Sequence, residues 1–262
     1  MNKYLEFAQQ AAAKAGRLIL KEYDGAETAT RDGSIQTKFD LAADKFLISQ
    51  IKKRFPKHSL LTEETGWINP GSRYLWIIDP IDGTGNFVNH NPLFCVSVAL
   101  WIDGQPAIGV IEAPFLGERY VAVKGKGAWK INAKAKKKSL ARVSSVKKMS
   151  EAYLIFCFGH KVAKYKTTRM IDNFYAKVKR MRQLGAAGIE LGWVGLGRAD
   201  AFVLPGARLW DIAAGVLFVL EAGGRVMDLK LKPWDFKEMM SLEQIDLVAA
   251  NAKLQLPKKI NY

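Results

Sequence analysis

The sequence predicts a mixed α/β protein, α+β in its first part, built as two closely packed subdomains. Three observations lead there. An amphipathic helical pattern opens the chain. Apolar segments then alternate with glycine turns from Phe94 to Lys130, and beyond Met149 short strands alternate with helical stretches. Such a change of pattern marks α and β elements that are segregated first and interleaved later. A soft boundary near residue 145 divides residues 1–145, an N-terminal α+β part, from residues 146–262, a C-terminal α/β part. With 262 residues the chain is long enough to bury a substantial core.

Each element has its own justification. Leu5, Ala8, Ala12, Ala15 and Ile19 recur at helical spacing, while Glu6, Lys14, Arg17 and Lys21 exclude a secretion signal over the same stretch. Asp24 to Lys38 is polar and reads as a hairpin or loop. A second helix is expected from roughly Asp40 to Phe55, with Leu41, Phe46, Leu47 and Ile51 facing inward and Pro56 ending it. Ser59-Leu60-Leu61 reads as a short strand, and Tyr74 to Ile78, aromatic and β-branched, as a buried one. The region from Phe94 to Lys130 has turns at Asp103-Gly104, Leu116-Gly117 and Lys124-Gly125-Lys126-Gly127 and predicts an antiparallel meander. Strands follow at Tyr153 to Phe158 and Ala199 to Leu204, and helices at Lys166 to Val178, Ala187 to Gly195 and Ile212 to Ala222, the last closed by Gly223-Gly224.

Composition narrows the class. The longest apolar helical candidate, Ala213 to Leu220, is far too short to span a membrane. Cys95 and Cys157, far apart and flanked by apolar residues, read as buried free thiols in a reducing cytoplasm. His58, His90 and His160 form no ligand pattern. The net charge of +15 is concentrated between Lys124 and Lys148, a stretch that contains Lys134, Lys136, Lys137, Lys138, Arg142, Lys147 and Lys148 and no acid. A basic stripe attracts nucleic acid or steers small anions. No aromatic residue interleaves the lysines between 132 and 148, so a solvated hairpin face is the stronger reading and nucleic-acid binding the weaker.

The chemistry concentrates in Asp79-Pro80-Ile81-Asp82-Gly83-Thr84. Asp79 falls at the carboxyl end of a buried strand, where α/β proteins gather ligands. Pro80 predicts a sharp turn that returns Asp82 beside Asp79. Two carboxylates held that close repel unless a cation lies between them, and oxygen ligation suits a hard ion such as Mg2+. Gly83, Thr84 and Gly85 then offer backbone amides to a phosphate, the more so if a helix starts there. Glu63 and Glu64 leave a strand in the same manner, and Asp211 precedes a helix. Taken alone, Asp40 and Asp211 read equally well as helix caps. Gly125-Lys126-Gly127 and Gly195-Leu196-Gly197 lack the spacing of nucleotide-binding loops and read as turns.

Thr62-Glu63-Glu64, the Asp79 to Thr84 block and Trp210-Asp211-Ile212-Ala213-Ala214-Gly215 occur in an order and spacing that resemble the inositol monophosphatase family, from the first helix to about Asp228. The resemblance implies a layered αβαβα sugar-phosphatase fold, a homodimer, and Mg2+-dependent, Li+-sensitive hydrolysis of a small anionic phosphomonoester. It implies two or three Mg2+ ions held by Glu63, Asp79, the carbonyl of Ile81, Asp82 and Asp211, with Asp79 bridging two of them. Thr84 matches the threonine that orients the attacking water, Asp40 its acidic partner, and Glu63 shares the catalytic role. Asp82, Gly83, Thr84, Gly185, Ala186, Ala187 and Asp211 match the substrate-binding positions. Metal-activated water makes a covalent intermediate unnecessary, in keeping with the absence of a nucleophile triad.

The departures bear on substrate. Leu204, followed by Pro205, stands where relatives that act on inositol phosphate have a glutamate that grips ring hydroxyls. Gly185-Ala186-Ala187 lacks a hydroxyl usual in that segment, and Arg31 lies near a position often basic in relatives. Inositol monophosphate, 3′-phosphoadenosine 5′-phosphate, histidinol phosphate and fructose 1,6-bisphosphate all stay open as substrates. A different class of function, docking onto nucleic acid or a ribonucleoprotein through Lys124 to Lys148, stands as the alternative.

Overall fold

A computed structural model describes residues 1–23, 29–31, 34–158, 164–257 and 260. Helix α1 (Asn2–Lys21) buries Ala8, Ala11, Ala12, Ala15 and Ile19 along one stripe, small residues that let it lie close on the sheet beneath. Strands β1 (Ala29–Arg31) and β2 (Ser34–Gln36) form a hairpin that leads into α2 (Lys38–Arg54). Thr37 is the N-cap of α2, and Asp40, at its third position, completes a reciprocal capping box. Asp40 is therefore part of the cap without being the cap residue. Leu41 does not face inward as expected. Phe39, Ala43, Leu47 and Ile51 occupy the buried stripe at helical spacing, which leaves Leu41 on the exposed side.

Among the described residues, eight strands share the first sheet: β3 (Ser59–Thr62), β4 (Gly66–Ile68), β5 (Tyr74–Asp82), β6 (Cys95–Ile102), β7 (Gln105–Ala113), β8 (Glu118–Val123), β9 (Gly127–Asn132) and β10 (Lys138–Leu140). Their order is β10-β9-β8-β7-β6-β5-β3-β4, antiparallel throughout except for the parallel pair β3 and β5. The meander expected between Phe94 and Lys130 is β6 to β9. The sharp turn expected after Asp79 is absent. β5 runs on through Pro80 to Asp82, and the register slips between Asp79, opposite Ser97, and Asp82, opposite Cys95. A bulge of this kind tolerates a residue without an amide hydrogen and re-aims the side chains around it. The turn comes at Gly83, whose φ of +86° a side chain would resist. The short helix α3 (Thr84–Val88) follows.

The second sheet collects β11 (Tyr153–Phe156), β12 (Arg180–Arg182), β13 (Ala201–Ala207), β14 (Gly224–Met227) and β15 (Ile245–Asn251) in the order β12-β11-β13-β15-β14. Helices α4 (Lys164–Tyr175), α5 (Ala187–Gly195), α6 (Leu209–Glu221) and α7 (Phe236–Met239) connect them. Three buried clusters define the layers. α1 and α2 pack with Trp76, Ile78, Val98 and Val110 on one face of the large sheet. On its other face Ile77, Ala99 and Tyr120 meet Leu191 of α5 and Phe218 of α6, which also reach Phe202 and Leu247 of the second sheet. Met170 and Phe174 of α4 cover that sheet's outer face with Leu154, Val203 and Val248. The fold is the αβαβα sandwich, and the central cluster draws on residues from both sides of position 145.

No described helix is long and apolar enough to cross a membrane. Cys95 is buried, Cys157 is only half-buried, and both are free thiols. His58 stacks between Phe55 and Tyr74 and accepts a hydrogen bond from Trp76 Nε1, a structural role, and His90 packs edge-on to Tyr23. His160 and the side chain of Arg31 lie outside the described residues.

Candidate active site

The acids of the two neighbouring strands are placed by backbone pairing. Thr62 pairs with Ile78 across the parallel β3–β5 ladder, and the Glu63 amide donates to the Ile78 carbonyl at 3.2 Å, which sets Glu63 beside Asp79. Asp79 is 2% exposed and Asp82 7%. Asp82 reaches across to α5: its Oδ1 accepts from the Ala187 amide at 3.0 Å and its Oδ2 from the Gly188 amide at 2.6 Å and the Cys95 thiol at 3.1 Å. Asp211 sits at the third position of α6, where its Oδ2 accepts from the Arg208 amide at 2.8 Å. Like Asp40, it belongs to a capping arrangement without being the N-cap residue.

These carboxyls disturb one another. Burial raises Glu63 well above the usual carboxylate range, and the charges of Asp211 and Glu64 raise it further. Burial does the same to Asp79, helped by Glu63, Asp82 and Asp211. Asp211 is pushed up to about 7, mainly by burial, with Asp82 adding to it. Asp82 is pushed up to about 6 by burial, against the opposing effect of the Cys95 thiol and the α5 amides. The Oδ1 atom of Asp79 is buried with no hydrogen-bond partner. A buried acceptor without a hydrogen-bond partner, set among acids that raise one another, fits a cation. Among the described residues no three acid, imidazole or thiol side chains close into a preformed cage. Mg2+ does not demand one, because it keeps several waters and is held through one or two carboxylates together with substrate phosphate. The oxygen-only donor set fits that ion.

Thr84 and Asp40 meet as expected. The Thr84 hydroxyl lies 3.1 Å from Asp40 Oδ1 and 2.8 Å from the Ile81 carbonyl oxygen, so its single hydrogen has two acceptors. Asp40, 1% exposed, also accepts from the Thr37 amide at 2.7 Å and is raised by burial. Gly185 and Ala186 press against Gly83, where an added β-carbon would stand 3.0 Å from Ala186 Cβ and 3.1 Å from the Gly185 oxygen. The starts of α3 and α5 therefore adjoin. Leu204 is buried in the central core.

The profile of the inositol monophosphatase family matches residues 1–260. The chain belongs to the inositol monophosphatase family. The Nus factor SuhB of Escherichia coli K12 is 37% identical over 235 residues, which cover 87% of this chain and 86% of that protein. Inositol monophosphatase 1 of Solanum lycopersicum is 34% identical over 238 residues, 87% of this chain and 85% of that protein. Among solved structures, the Thermotoga maritima IMPase superposes with a TM-score of 0.85 at 30% identity, covering 97% of this chain and 93% of that one. The suhB protein of Bartonella henselae superposes at 0.84 and 30% identity, covering 95% and 93%. The phosphatase family and its fold are thus established for this member.

Sequence reasoning missed several residues that shape the site of this family member. Gly188 approaches Asp82 so closely that a β-carbon would lie 3.0 Å from Asp82 Oδ2 and 2.9 Å from Cys95 Sγ. Asn86 donates through Nδ2 to the carbonyls of Leu93 (2.6 Å) and Leu184 (2.7 Å), tying α3 to the loop before α5. Glu190 is wholly buried, accepts from the Leu184 and Gly185 amides at 2.9 and 3.0 Å, and is pushed up to about 8 by burial. Asp44 accepts from the Thr65 hydroxyl at 2.5 Å and steadies the turn that carries Glu63. Only Asp44 left a signal, one helical turn beyond Asp40 on the same face.

Proposed function

We propose that this phosphatase hydrolyses a small anionic phosphomonoester with Mg2+ and a metal-activated water, forming no covalent intermediate. The unpartnered Asp79 oxygen among Glu63, Asp82 and Asp211 carries the reading. Glu63, Asp79, the Ile81 carbonyl, Asp82 and Asp211 would hold the ions. Bound there, Mg2+ would supply a Lewis acid for the phosphoryl oxygens and a water more acidic than bulk water. The chain's own residues do the rest. Asp40 takes the Thr84 hydrogen, which leaves a Thr84 lone pair to accept a proton from the attacking water and hold it in line. The first-turn amides of α3, which have no partner within a helix, and the turn at Gly83 favour the phosphate.

Leu204 supplies no charged acceptor to a polyol ring, so recognition rests more on anionic charge than on ring hydroxyls. Inositol monophosphate, 3′-phosphoadenosine 5′-phosphate, histidinol phosphate and fructose 1,6-bisphosphate are the candidates, and the missing glutamate favours those with extra negative charge. A second reading, docking onto nucleic acid or the transcription machinery, draws on the name of the SuhB relatives and on the exposed lysines from Lys134 to Lys138. Phosphate release from these four compounds, with Mg2+ and with a chelator, tests the proposal. Metal-dependent release from at least one supports it; no release from any, with RNA retained by the protein, favours the second reading.

A further inference from the structure

Part of the lysine run closes a cavity that shares no lining residue with the carboxylate cluster. A recess of about 430 Å³ lies between α1 and the β9–β10 turn, and its charged lining comprises Arg17, Arg119, Lys134, Lys136 and Glu112. That volume is within the range of small-molecule sites. The floor is built from a buried ion pair. Glu112 and Arg119 have side chains only 8% and 17% exposed, and Arg119 engages Glu112 through Nε alone. Glu112 packs against α1, where a β-carbon on Gly16 would come within 2.8 Å of its Cγ. One edge of the Arg119 guanidinium is satisfied by that pair, and the terminal nitrogens of the fork are left for another acceptor.

Arg17, Lys134 and Lys136 add three further cations, and among the described residues none of them pairs with a carboxylate. Lys136 also holds a left-handed backbone, φ +51°, at a turn position that a glycine or asparagine would fill with less strain. With Arg119 paired to Glu112, three exposed cations are in excess at the recess, and their field attracts an anion. Leu20 and Ile131 add apolar wall beside them. We propose that this recess is a second anion site, separate from the carboxylate cluster, which binds a small molecule carrying two or more phosphoryl groups.

The test is calorimetric titration of inorganic tripolyphosphate into the full chain, in buffer free of divalent ions so that the acid cluster repels the probe. One saturable equivalent is expected. Lys134→Ala combined with Lys136→Gly should weaken it about tenfold or more, the loss of roughly one charge-assisted contact, and Lys136→Gly relieves backbone strain and so leaves the fold intact. Lys147→Ala combined with Lys148→Ala removes the same charge outside the recess and should change affinity less than twofold. Three results overturn the site: no saturable binding, equal weakening by both double variants, or single-stranded RNA binding more tightly than tripolyphosphate with the same sensitivity to Lys134 and Lys136.

Discussion

The wall that carries Glu63, Asp79 and Asp82 is made of strand, and neighbouring backbone pairs fix where its acids stand. The opposite wall, from Leu184 to Asp211, is made of helix starts, and its groups are mostly backbone amides already engaged with Asp82 and Glu190. The strand wall carries Glu63, Asp79 and Asp82, and Asp211 joins them from the start of α6. The rest of the second wall offers dipoles and apolar surface around the buried Glu190. On the proposed reading, the strand ends hold most of the reacting groups, Asp211 completes them, and the helix starts, whose side chains are small here, face the substrate.

The sharpest way to break the contrast is Asp79→Asn. If the strand wall is the reaction centre, phosphate release should fall at least about a thousandfold, the several kcal/mol that Lewis-acid catalysis supplies. The same change relieves buried repulsion, so the melting temperature of the metal-free protein should rise by about 2–4 °C, the response to roughly 1 kcal/mol in a chain of this size. Asp82→Asn is the less clean probe, because its new amide would put a donor against the Ala187 or Gly188 N–H. Thr84→Ala should lower kcat about a hundredfold while KM moves little, since it removes a positioned proton acceptor and no ground-state charge. Equal losses in kcat and affinity would place Thr84 in binding instead.

Acidity separates the walls more gently. Asp82, Asp211 and Glu190 have folded values of about 6, 7 and 8, all above the ordinary 3.8 to 4.5. A raised carboxyl binds more protons folded than unfolded, so its contribution is intact below about pH 4 and is lost as pH rises through the folded value. The metal-free protein should therefore lose melting temperature steadily between pH 5 and pH 8, and Mg2+ should restore more of it at pH 8 than at pH 6. Glu190→Gln should flatten only the part that Mg2+ does not restore. Scanning calorimetry at three pH values decides it, and a metal effect independent of pH would uncouple the ions from these acids. The smallest effect on activity is expected from Leu204→Ala: stability falls by about 2–5 kcal/mol through the cavity it leaves, yet kcat stays within twofold, because the side chain belongs to the core.

Much of the strand wall was legible because short local patterns carry it. An apolar strand that ends in an acid, a proline that forces an irregularity and a glycine turn all act within ten residues, and the structure alters only the form, a bulge at Pro80 instead of a turn. The second wall was not legible. Gly188, Asn86 and Glu190 matter through contacts with Asp82, Leu184 and Gly185 that exist only after two sheets close on α5, and Cys95 looked like a core thiol until its register opposite Asp82 was known. Leu41 failed for a related reason, since four residues competed for one buried stripe and only packing against the sheet could choose among them.

By itself the sequence determined the α/β class and the family and singled out the candidate acids, because periodicity and residue chemistry are local properties that survive in an unfolded chain. The tertiary structure alone decided that Asp79 keeps an unpartnered oxygen, that Asp82 is caught by amides more than a hundred residues away, and that Arg17, Arg119 and Lys136 line one recess. The physical reason is the range of the forces involved: repulsion between buried charges and the desolvation that amplifies it depend on distances that only the packed layers set.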